Sequence, residues 1–289
     1  MKYWLLSALL LLTALVQGQD LKAYQLYRQD GTPATYGELL QAAQATDVVL
    51  FGELHNNSLV HWLQRQLTED MAESVEDLVL GAEMFERDDQ RLLDEYLQGV
   101  IRQKDFEKEV KLWPNYATDY QPLVEVAVEN QLPFVATNVP RRYAALVSRQ
   151  GLSALDSLVP TAKELWATQP FPIDYELPGY ASMLDMFAGH GGDMDPKLFV
   201  QAQALKDATM AESILRYWEP GKVFLHYHGT FHGKGFEGIG WYLKEAQPEI
   251  NTVTIHSVEQ DSLGTLEEEH LNTATFILVV PSNMAKSYD

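Results

Sequence analysis

Short apolar runs that end at a glycine or a polar residue recur along the chain, and stretches with apolar residues at helical spacing lie between them. The run at 48–51 has four consecutive apolar residues closed by Gly52, a pattern typical of a parallel strand buried on both faces. Further runs of this kind lie at 77–82, 132–136 and 223–225. Strands that alternate with helices in this way predict an α/β fold with a parallel-rich central sheet flanked by helices.

The same criteria give the remaining elements. Outer strands are predicted at 24–29, 252–258 and 275–280. Helices are predicted at 35–45, from Asn57 or Ser58 to 71, from Asp88 to 97, at 120–130, from Pro140 onward, at 198–218 and at 238–246. We expect His61, one turn into the second of these helices, to lie at the surface rather than to face a site.

The alternation breaks down between residues 151 and 196, where prolines divide the chain into short segments. These are Pro160, Pro170, Pro172, Pro178 and Pro196. We interpret 151–196 as a smaller inserted α-helical subdomain, and 19–150 together with 197–289 as the α/β core domain. A chain of this length has room for one large domain that carries such an insertion.

Residues 1–18 have the pattern of a secretory signal peptide. One lysine precedes an apolar block from Trp4 to Leu15, and a short cleavage pattern ends at Gly18. The block is too short to span a bilayer, so we predict cleavage before Gln19 and export to the periplasm or the medium, with no membrane span afterwards. An uncleaved anchor is the alternative. The chain has no cysteine, so neither a disulfide nor a lipoprotein anchor is expected.

The net charge of the chain restricts which classes of molecule it can bind. Forty-one acidic residues against 21 basic residues give a net charge of -20. A strongly acidic surface repels phosphate backbones and anionic lipid. We therefore expect no nucleic-acid partner.

Polar residues stand at the ends of four predicted strands. They are Glu53 with His55, Glu83, Asn138, and His228 with His232. Because the carboxyl ends of parallel strands lie along one edge of a sheet, we expect these carboxylates and imidazoles to lie within reach of one another. Such groups are ligands for transition metals such as zinc or manganese. The candidate metal ligands are Glu53, His55, Glu83, His228 and His232. A hydrogen-bonded polar cluster is the alternative.

Two Gly-x-x-His pairs, Gly52 to His55 and Gly229 to His232, stand on either side of Glu83. This arrangement resembles the superfamily that joins the Tiki metalloproteases, TraB-like proteins and erythromycin esterases. Four motifs, in order, resemble its ChaN-like haem-binding branch more closely and cover nearly the whole mature chain. They are Gly-Glu-Leu-His-Asn-Asn at 52–57, Glu-Met-Phe at 83–85, Asn-Val-Pro-Arg at 138–141, and the stretch at 203–211.

The resemblance implies an α/β domain with a smaller helical domain that forms part of the ligand pocket. It also implies haem as the cofactor, and a homodimer that holds haem where two subunits meet. The function it implies is an exported haem-binding protein of iron acquisition or haem handling. The best-known members are lipoproteins, and this chain departs from them because it lacks cysteine.

Two other functions stay open from the sequence, and so does the question whether the chain is an enzyme. A metal-dependent hydrolase, either a Tiki-like peptidase or an esterase, would use a bound metal to activate water, with Glu53 or Glu83 as general base. Its candidate catalytic residues are Glu53, His55, Glu83 and His232. An interaction protein with a vestigial site is the third possibility.

Haem iron takes histidine, cysteine, methionine or tyrosine as axial ligand, and cysteine is absent. In the insertion, Tyr180 is our first choice, while Tyr175 and Tyr143 stay open. His190 is the candidate for a second ligand, and Met183 would cover a porphyrin face. The alternative is that Tyr180 only packs the insertion against the sheet.

Lys206, Arg141 and Arg142 are candidates to hold the haem propionates. Lys206 and Arg141 both belong to the motifs that resemble the family, and cationic side chains hold carboxylates well. We also expect Arg141 and Asp207 to lie near the same edge of the sheet, where an ion pair between them is plausible.

Overall fold

The computed structural model describes residues 21–188 and 195–288, so the predicted signal peptide and His190 lie outside the described residues. Eight strands form one sheet. They are β1 (Gln25–Arg28), β2 (Pro33–Ala34), β3 (Val48–Glu53), β4 (Leu78–Glu86), β5 (Phe134–Asn138), β6 (Val223–Gly229), β7 (Thr252–Gln260) and β8 (Phe276–Pro281).

The strand order across the sheet is β2-β1-β8-β7-β3-β6-β4-β5. All neighbours from β8 to β5 pair in parallel, whereas β1 runs antiparallel to β8 and β2 antiparallel to β1. The central strand β3 is buried over its whole length. The predicted α/β fold with a parallel-rich sheet is confirmed.

Helices cover both faces of this sheet. The α-helices of the described chain are α1 (Tyr36–Gln44), α2 (Ser58–Ser74), α3 (Gln90–Leu97), α4 (Gln103–Glu109), α5 (Gln121–Asn130), α6 (Arg141–Gln150), α7 (Pro178–Ala188), α8 (Pro196–Tyr217) and α9 (Ile239–Ala246). Within the described ranges, none of them is both long and apolar enough to cross a membrane.

Side chains alternate between the faces of the sheet, so each strand contributes to two cores. Val49 and Phe51 of β3 pack in one core with α1, α2 and α5. Val48 and Leu50 pack in the other core with α8 and α9. This alternation decides which helices each side chain at the carboxyl edge of the sheet will meet.

The proline-rich segment is irregular and helical, as its composition predicted. Two short 3-10 helices, Leu152–Ser157 and Pro160–Leu165, come before α7. Trp166 packs against Leu205 of α8, and Tyr180 of α7 packs against Ala204. The segment therefore lies against α8. The division into a core domain and an inserted subdomain stays a prediction.

Two helix starts differ in how well the sequence predicted them. The Oδ1 atom of Asn57 accepts hydrogen bonds from the backbone N–H groups of Leu59 and Val60 at 3.2 and 3.3 Å, so the predicted cap of α2 is confirmed. Asp88 does not cap the next helix. It lies in a 3-10 turn, and α3 begins at Gln90.

Strand β4 continues beyond its predicted end at Ala82. It runs to Glu86, and its pairing with β5 shifts register between Ala82 and Glu86. Met84 and Phe85 are buried, so the longer strand places apolar side chains in the core. Glu83 therefore lies within a strand rather than after one. It is still at the carboxyl edge of the sheet, because the pairing of β4 with β6 ends at Ala82.

Arg87, at the end of β4, joins this strand to α8 and to the proline-rich segment. Its guanidinium donates to Ser213 Oγ and to the Thr209 carbonyl, both at 2.8 Å. It also donates to the Glu164 carbonyl at 3.3 Å and to Glu212 Oε1 at 3.1 Å. The side chain is only 6% exposed, so these hydrogen bonds are largely shielded from water.

Replacing Arg87 by methionine should lower the free energy of unfolding by about 2–4 kcal/mol, because it leaves buried acceptors without a donor. Urea denaturation measures this difference. Arg216→Met is the matched control, since Arg216 donates to the same Glu212 oxygen but is 45% exposed. The control should cost less than about 1 kcal/mol. Equal costs for the two variants would contradict the proposed role of Arg87.

Candidate functional site

The candidate site consists of two networks of carboxylates and imidazoles at the carboxyl edge of the sheet. Glu53 ends β3 on the face covered by α2 and α5, where it meets Gln64 and Tyr120. Glu83 of β4 meets His232, which in turn contacts Asp207 of α8. We call these networks the Glu53 network and the Glu83 network.

In the Glu53 network, four side chains hold one buried carboxylate. Tyr120 donates from its hydroxyl to Glu53 Oε1 at 2.7 Å, and Gln64 Nε2 donates to Oε2 at 2.7 Å. His55 Nδ1 lies 2.9 Å from Oε1, and His61 Nδ1 lies 3.8 Å from Oε2. Burial alone would raise the pKa of Glu53, but the two imidazoles and the amide hold it below its usual value.

His61 is buried, which corrects the expectation of a surface histidine. Its Nδ1 contacts Gln64 Oε1 at 2.8 Å, and its Nε2 contacts the His55 carbonyl at 3.1 Å. Asp119 Oδ2 lies 3.6 Å from the same Nε2, and Asn115 Nδ2 donates to Asp119 at 2.7 Å. The spacing of His61, Gln64 and Thr68 along α2 was the sequence signal for this inward polar stripe, since such residues share a helix face.

In the Glu83 network, one imidazole lies between two carboxylates. His232 Nε2 is 3.1 Å from Glu83 Oε1, and His232 Nδ1 is 2.5 Å from Asp207 Oδ1. The backbone N–H of Gly229 donates to the other oxygen of Glu83 at 2.8 Å. Burial would lower the pKa of His232, but the two carboxylates raise it to about 10. His232 is therefore a cation at neutral pH.

Opposite charges in the Glu83 network stabilise one another. Burial alone would raise the pKa of Glu83, but His232 and then Lys206 hold it well below its usual value. The other oxygen of Asp207 accepts a hydrogen bond from the Tyr180 hydroxyl at 2.7 Å. Burial, followed by the charge of Asp207, raises the pKa of Tyr180 far above its usual value. Tyr180 thus ties α7 to the Glu83 network as a neutral donor.

The two networks meet at Gly229, the last residue of β6. A Cβ atom placed there would lie 2.6 Å from His55 Nε2 and 3.5 Å from Glu83 Oε2. Only glycine allows the His55 ring to approach the strand so closely. Burial would lower the pKa of His55, but Glu53 and, across the edge, Glu83 raise it. At 35% side-chain exposure, His55 is the part of the cluster most open to solvent.

Buried neutral histidines line the α8 side of β6. Burial lowers the pKa of His228 to about 4, and its Nδ1 lies 2.9 Å from the Gly229 carbonyl, so the proton on Nδ1 donates to that oxygen. His226 Nε2 contacts Thr137 Oγ1 at 2.7 Å. His228 Nε2 and His226 Nδ1 are buried without a hydrogen-bond partner.

The predicted metal ligands do not converge on one point in this arrangement. Both nitrogens of His232 contact carboxylates, and a histidine must be deprotonated to bind a metal. His228 Nε2 is bare but fully buried. Over residues 21–188 and 195–288, three donor atoms lie within 4.8 Å of one another at Glu267, Glu269 and His270, which are not among the predicted ligands. The donor geometry gives the metal prediction no support.

The residues predicted to hold haem lie in different surroundings. Tyr180 is buried, and Met183 packs beside it, partly exposed. Lys206 is half-buried, whereas Arg141 is exposed at the start of α6. The expected ion pair between Arg141 and Asp207 is not formed, because Asp207 faces inward toward His232 and Tyr180. His190 lies outside the described residues.

A sequence model of the family described as haem-binding uptake, Tiki superfamily, ChaN matches residues 39–243. This range covers most of the chain and includes both networks of the site. The chain belongs to the ChaN family. The resemblance inferred from the sequence motifs is confirmed.

Two solved structures are similar to this ChaN-family chain, and the first of them shares its fold. The structure of ChaN of Campylobacter jejuni, described as binding haem cofacially, covers 90% of this chain and 97% of its own, with 15% sequence identity and a TM-score of 0.65. An erythromycin esterase in an open conformation covers 90% of this chain and 83% of its own, with 13% identity and a TM-score of 0.47. No curated protein sequence matches the chain significantly.

The raised pKa of His232 predicts how this network contributes to stability as pH changes. A group whose pKa is raised on folding stabilises the fold fully below its unfolded pKa of about 6.5, and this contribution is lost as pH rises toward the folded value. The folded value is about 10. In urea denaturation, the stability difference between the unmodified protein and His232→Asn should be largest near pH 6 and should shrink steadily up to pH 9.

His270→Asn is the control. Burial lowers the pKa of His270, and only one of its ring nitrogens, Nε2, lies near a carboxylate, that of Glu269. The stability difference between the unmodified protein and His270→Asn should not shrink as pH rises. A His232→Asn difference that grew with pH would contradict the assignment of His232 as a buried cation.

Proposed function

We propose that this ChaN-family protein is an exported haem-binding protein of iron acquisition or haem handling. The observation that carries the proposal is the family match over residues 39–243, because the family is described by haem-binding uptake. The fold shared with ChaN of Campylobacter jejuni is consistent with it.

The surface beside the Glu83 network fits a flat apolar ligand. Phe231, directly before His232, is 81% exposed, and Phe236 is 37% exposed. The turn Lys234–Phe236 contacts α7, on which Met186 is 56% exposed. Large apolar side chains left in water at neighbouring positions are typical of a binding surface. Haem bound there would supply a redox-active iron with axial coordination.

Two cations at the edge of the sheet are our candidates to hold the haem propionates. Lys206 is half-buried and lies close enough to Glu83 to lower the pKa of that carboxyl. Arg141 is exposed at the start of α6, and its neighbour Arg142 forms an ion pair with Asp88. In our proposal these two cations would hold the propionates, as a charge-assisted hydrogen bond stabilises a carboxylate.

Tyr180 is our candidate axial ligand, with His190 as the candidate for a second one. The hydroxyl of Tyr180 now donates to Asp207, so ligation would require this hydrogen bond to break. If the phenol oxygen held the iron as a phenolate, Asp207, which accepts its hydrogen bond, would take the proton. Met183 would then cover one face of the porphyrin, and a second copy of the chain would cover the other in a haem-linked homodimer.

A hydrolase is the second candidate function, and the observation that favours it is the geometry of His55. Glu53 holds Nδ1 of this imidazole, which leaves Nε2 as a general base at the most exposed point of the cluster. The nitrogen faces Glu83 across Gly229. This arrangement would activate water through His55, and a zinc- or manganese-dependent mechanism is the alternative that the sequence left open.

Export rests on the pattern of residues 1–18. We propose removal of this segment and release of the mature chain to the periplasm or the medium. The mass of the chain recovered from an exporting host, which should begin at Gln19, tests this step. A mass that includes residues 1–18 would favour the uncleaved anchor.

Hemin titration of the purified protein tests haem binding. A Soret band that shifts and saturates at a defined stoichiometry is expected. Tyr180→Phe should weaken or spectrally alter the complex if the phenol oxygen binds iron. Tyr96→Phe is the matched control, because Tyr96 stacks on Phe106 far from α7 and should bind hemin as the unmodified protein does.

The other possible outcomes of the hemin titration distinguish between the alternatives. An unchanged Soret band in Tyr180→Phe would assign the axial ligand elsewhere and leave Tyr180 as a tether of α7. Absence of any Soret shift, together with tightly bound zinc or manganese or with ester hydrolysis that depends on His55, would favour the hydrolase instead.

A further inference from the structure

The segment after β8 lies along the loop that carries His55. We call Ala285–Tyr288 the strap. Lys286 of the strap and Asn57 form an antiparallel β-bridge. The backbone N–H of Ser287 donates to the Asn56 carbonyl at 2.8 Å, and Asn56 Nδ2 donates to the Tyr288 carbonyl at 3.0 Å. One asparagine thus holds the strap by both a donor and an acceptor.

Side chains of the strap reach the Glu53 network. Ser287 Oγ donates to Asp119 Oδ2 at 2.8 Å, the same oxygen that lies 3.6 Å from His61 Nε2. Burial, followed by the charges of Glu53 and Asp119, raises the pKa of Tyr288. The strap covers the Asp119 side of the network.

A third contact ties the strap to β7. Lys286 forms an ion pair with Glu259, and Asn57 Nδ2 donates to the same Glu259 oxygen at 3.2 Å. The side chains of Lys286 and Glu259 are 31% and 29% exposed, so solvent weakens this ion pair. The ion pair alone is therefore a weak anchor.

The contacts of the strap differ in kind from those of the sheet. They are a few hydrogen bonds and one partly exposed ion pair, and Ser287 itself is exposed. The His55 end of the loop beneath is held without the strap, since Asn115 Nδ2 and His61 Nε2 both contact the His55 carbonyl, whereas Asn56 and Asn57 contact the strap. Segments with few buried contacts open at a much lower free energy than the whole fold. Release of the strap is therefore compatible with an intact sheet.

We propose that the strap is a releasable closure over the Glu53 network. When docked, it fixes the loop from Leu54 to Asn57 and covers Asp119 and His61. When released, it opens that side of the network to solvent or to a ligand while the sheet stays folded. The inference does not depend on whether the ligand of the site is haem.

Hydrogen–deuterium exchange of the full chain tests the proposal. In the unmodified protein, the Ser287 amide should exchange at least about tenfold more slowly than in an unstructured peptide, because it donates to Asn56. Ser287→Pro removes both this N–H and the hydroxyl that reaches Asp119. It should speed exchange of the Asn57 amide about fivefold or more, and leave exchange of β5 unchanged.

Two further variants keep the test sharp. Ser287→Ala removes only the hydrogen bond to Asp119 and should give a smaller increase at Asn57 than Ser287→Pro. Ser282→Ala is the matched control, because Ser282 lies nearby in the chain but donates to Asp261, outside the strap. It should exchange as the unmodified protein does.

Two results would overturn the proposal. One is a Ser287 amide that exchanges at the unstructured rate in the unmodified protein, which would mean that the strap is not docked. The other is an unchanged Asn57 amide in Ser287→Pro, which would mean that the strap does not fix the loop. Hemin titration of the same variants tests the proposed function separately. Either result of the hydrogen–deuterium exchange experiment is compatible with haem binding or with its absence.

Discussion

Burial of two carboxylates at one edge of the sheet is the constraint on which the site depends. A buried carboxylate without partners would be costly, so each must be paired or hydrogen-bonded. Glu53 meets this requirement with residues of α2 and of the Tyr116–Tyr120 turn, and Glu83 meets it with His232 and α8. The helices on the two faces of the sheet are thereby fixed to its edge by charge as well as by apolar packing.

The α/β fold and the polar residues at the carboxyl edge of the sheet were predicted from the sequence, because both follow from local patterns. The uninterrupted apolar run of β3 indicated a strand covered on two faces, and Glu53, His55, Glu83 and His232 all lie at the carboxyl edge of the sheet. The partners of these residues could not be predicted in the same way. Asp119 lies 66 positions beyond Glu53 in the chain, and only the packing of α2 against α5 brings the two together.

Errors of prediction have the same physical origin. His61 looked like a surface residue because one histidine on a helix carries little information, yet Gln64 and the His55 carbonyl give its ring partners on both nitrogens. The extension of β4 past Ala82 was missed because Glu83 interrupts the apolar run. In the structure, the interruption is satisfied by the N–H of Gly229, a backbone group that a sequence pattern does not reveal.

The inner side chains of the site already have hydrogen-bond or ion-pair partners, which limits what the carboxyl edge of the sheet can bind or catalyse. His232 and His61 have contacts on both ring nitrogens, and the Tyr180 hydroxyl donates a hydrogen bond to Asp207. Chemistry or binding must therefore begin at groups that are less engaged. These are the imidazole of His55 and the exposed apolar side chains that precede and follow His232. Because His55 is held by Glu53 and faces Glu83, the charges of both networks act on this one imidazole.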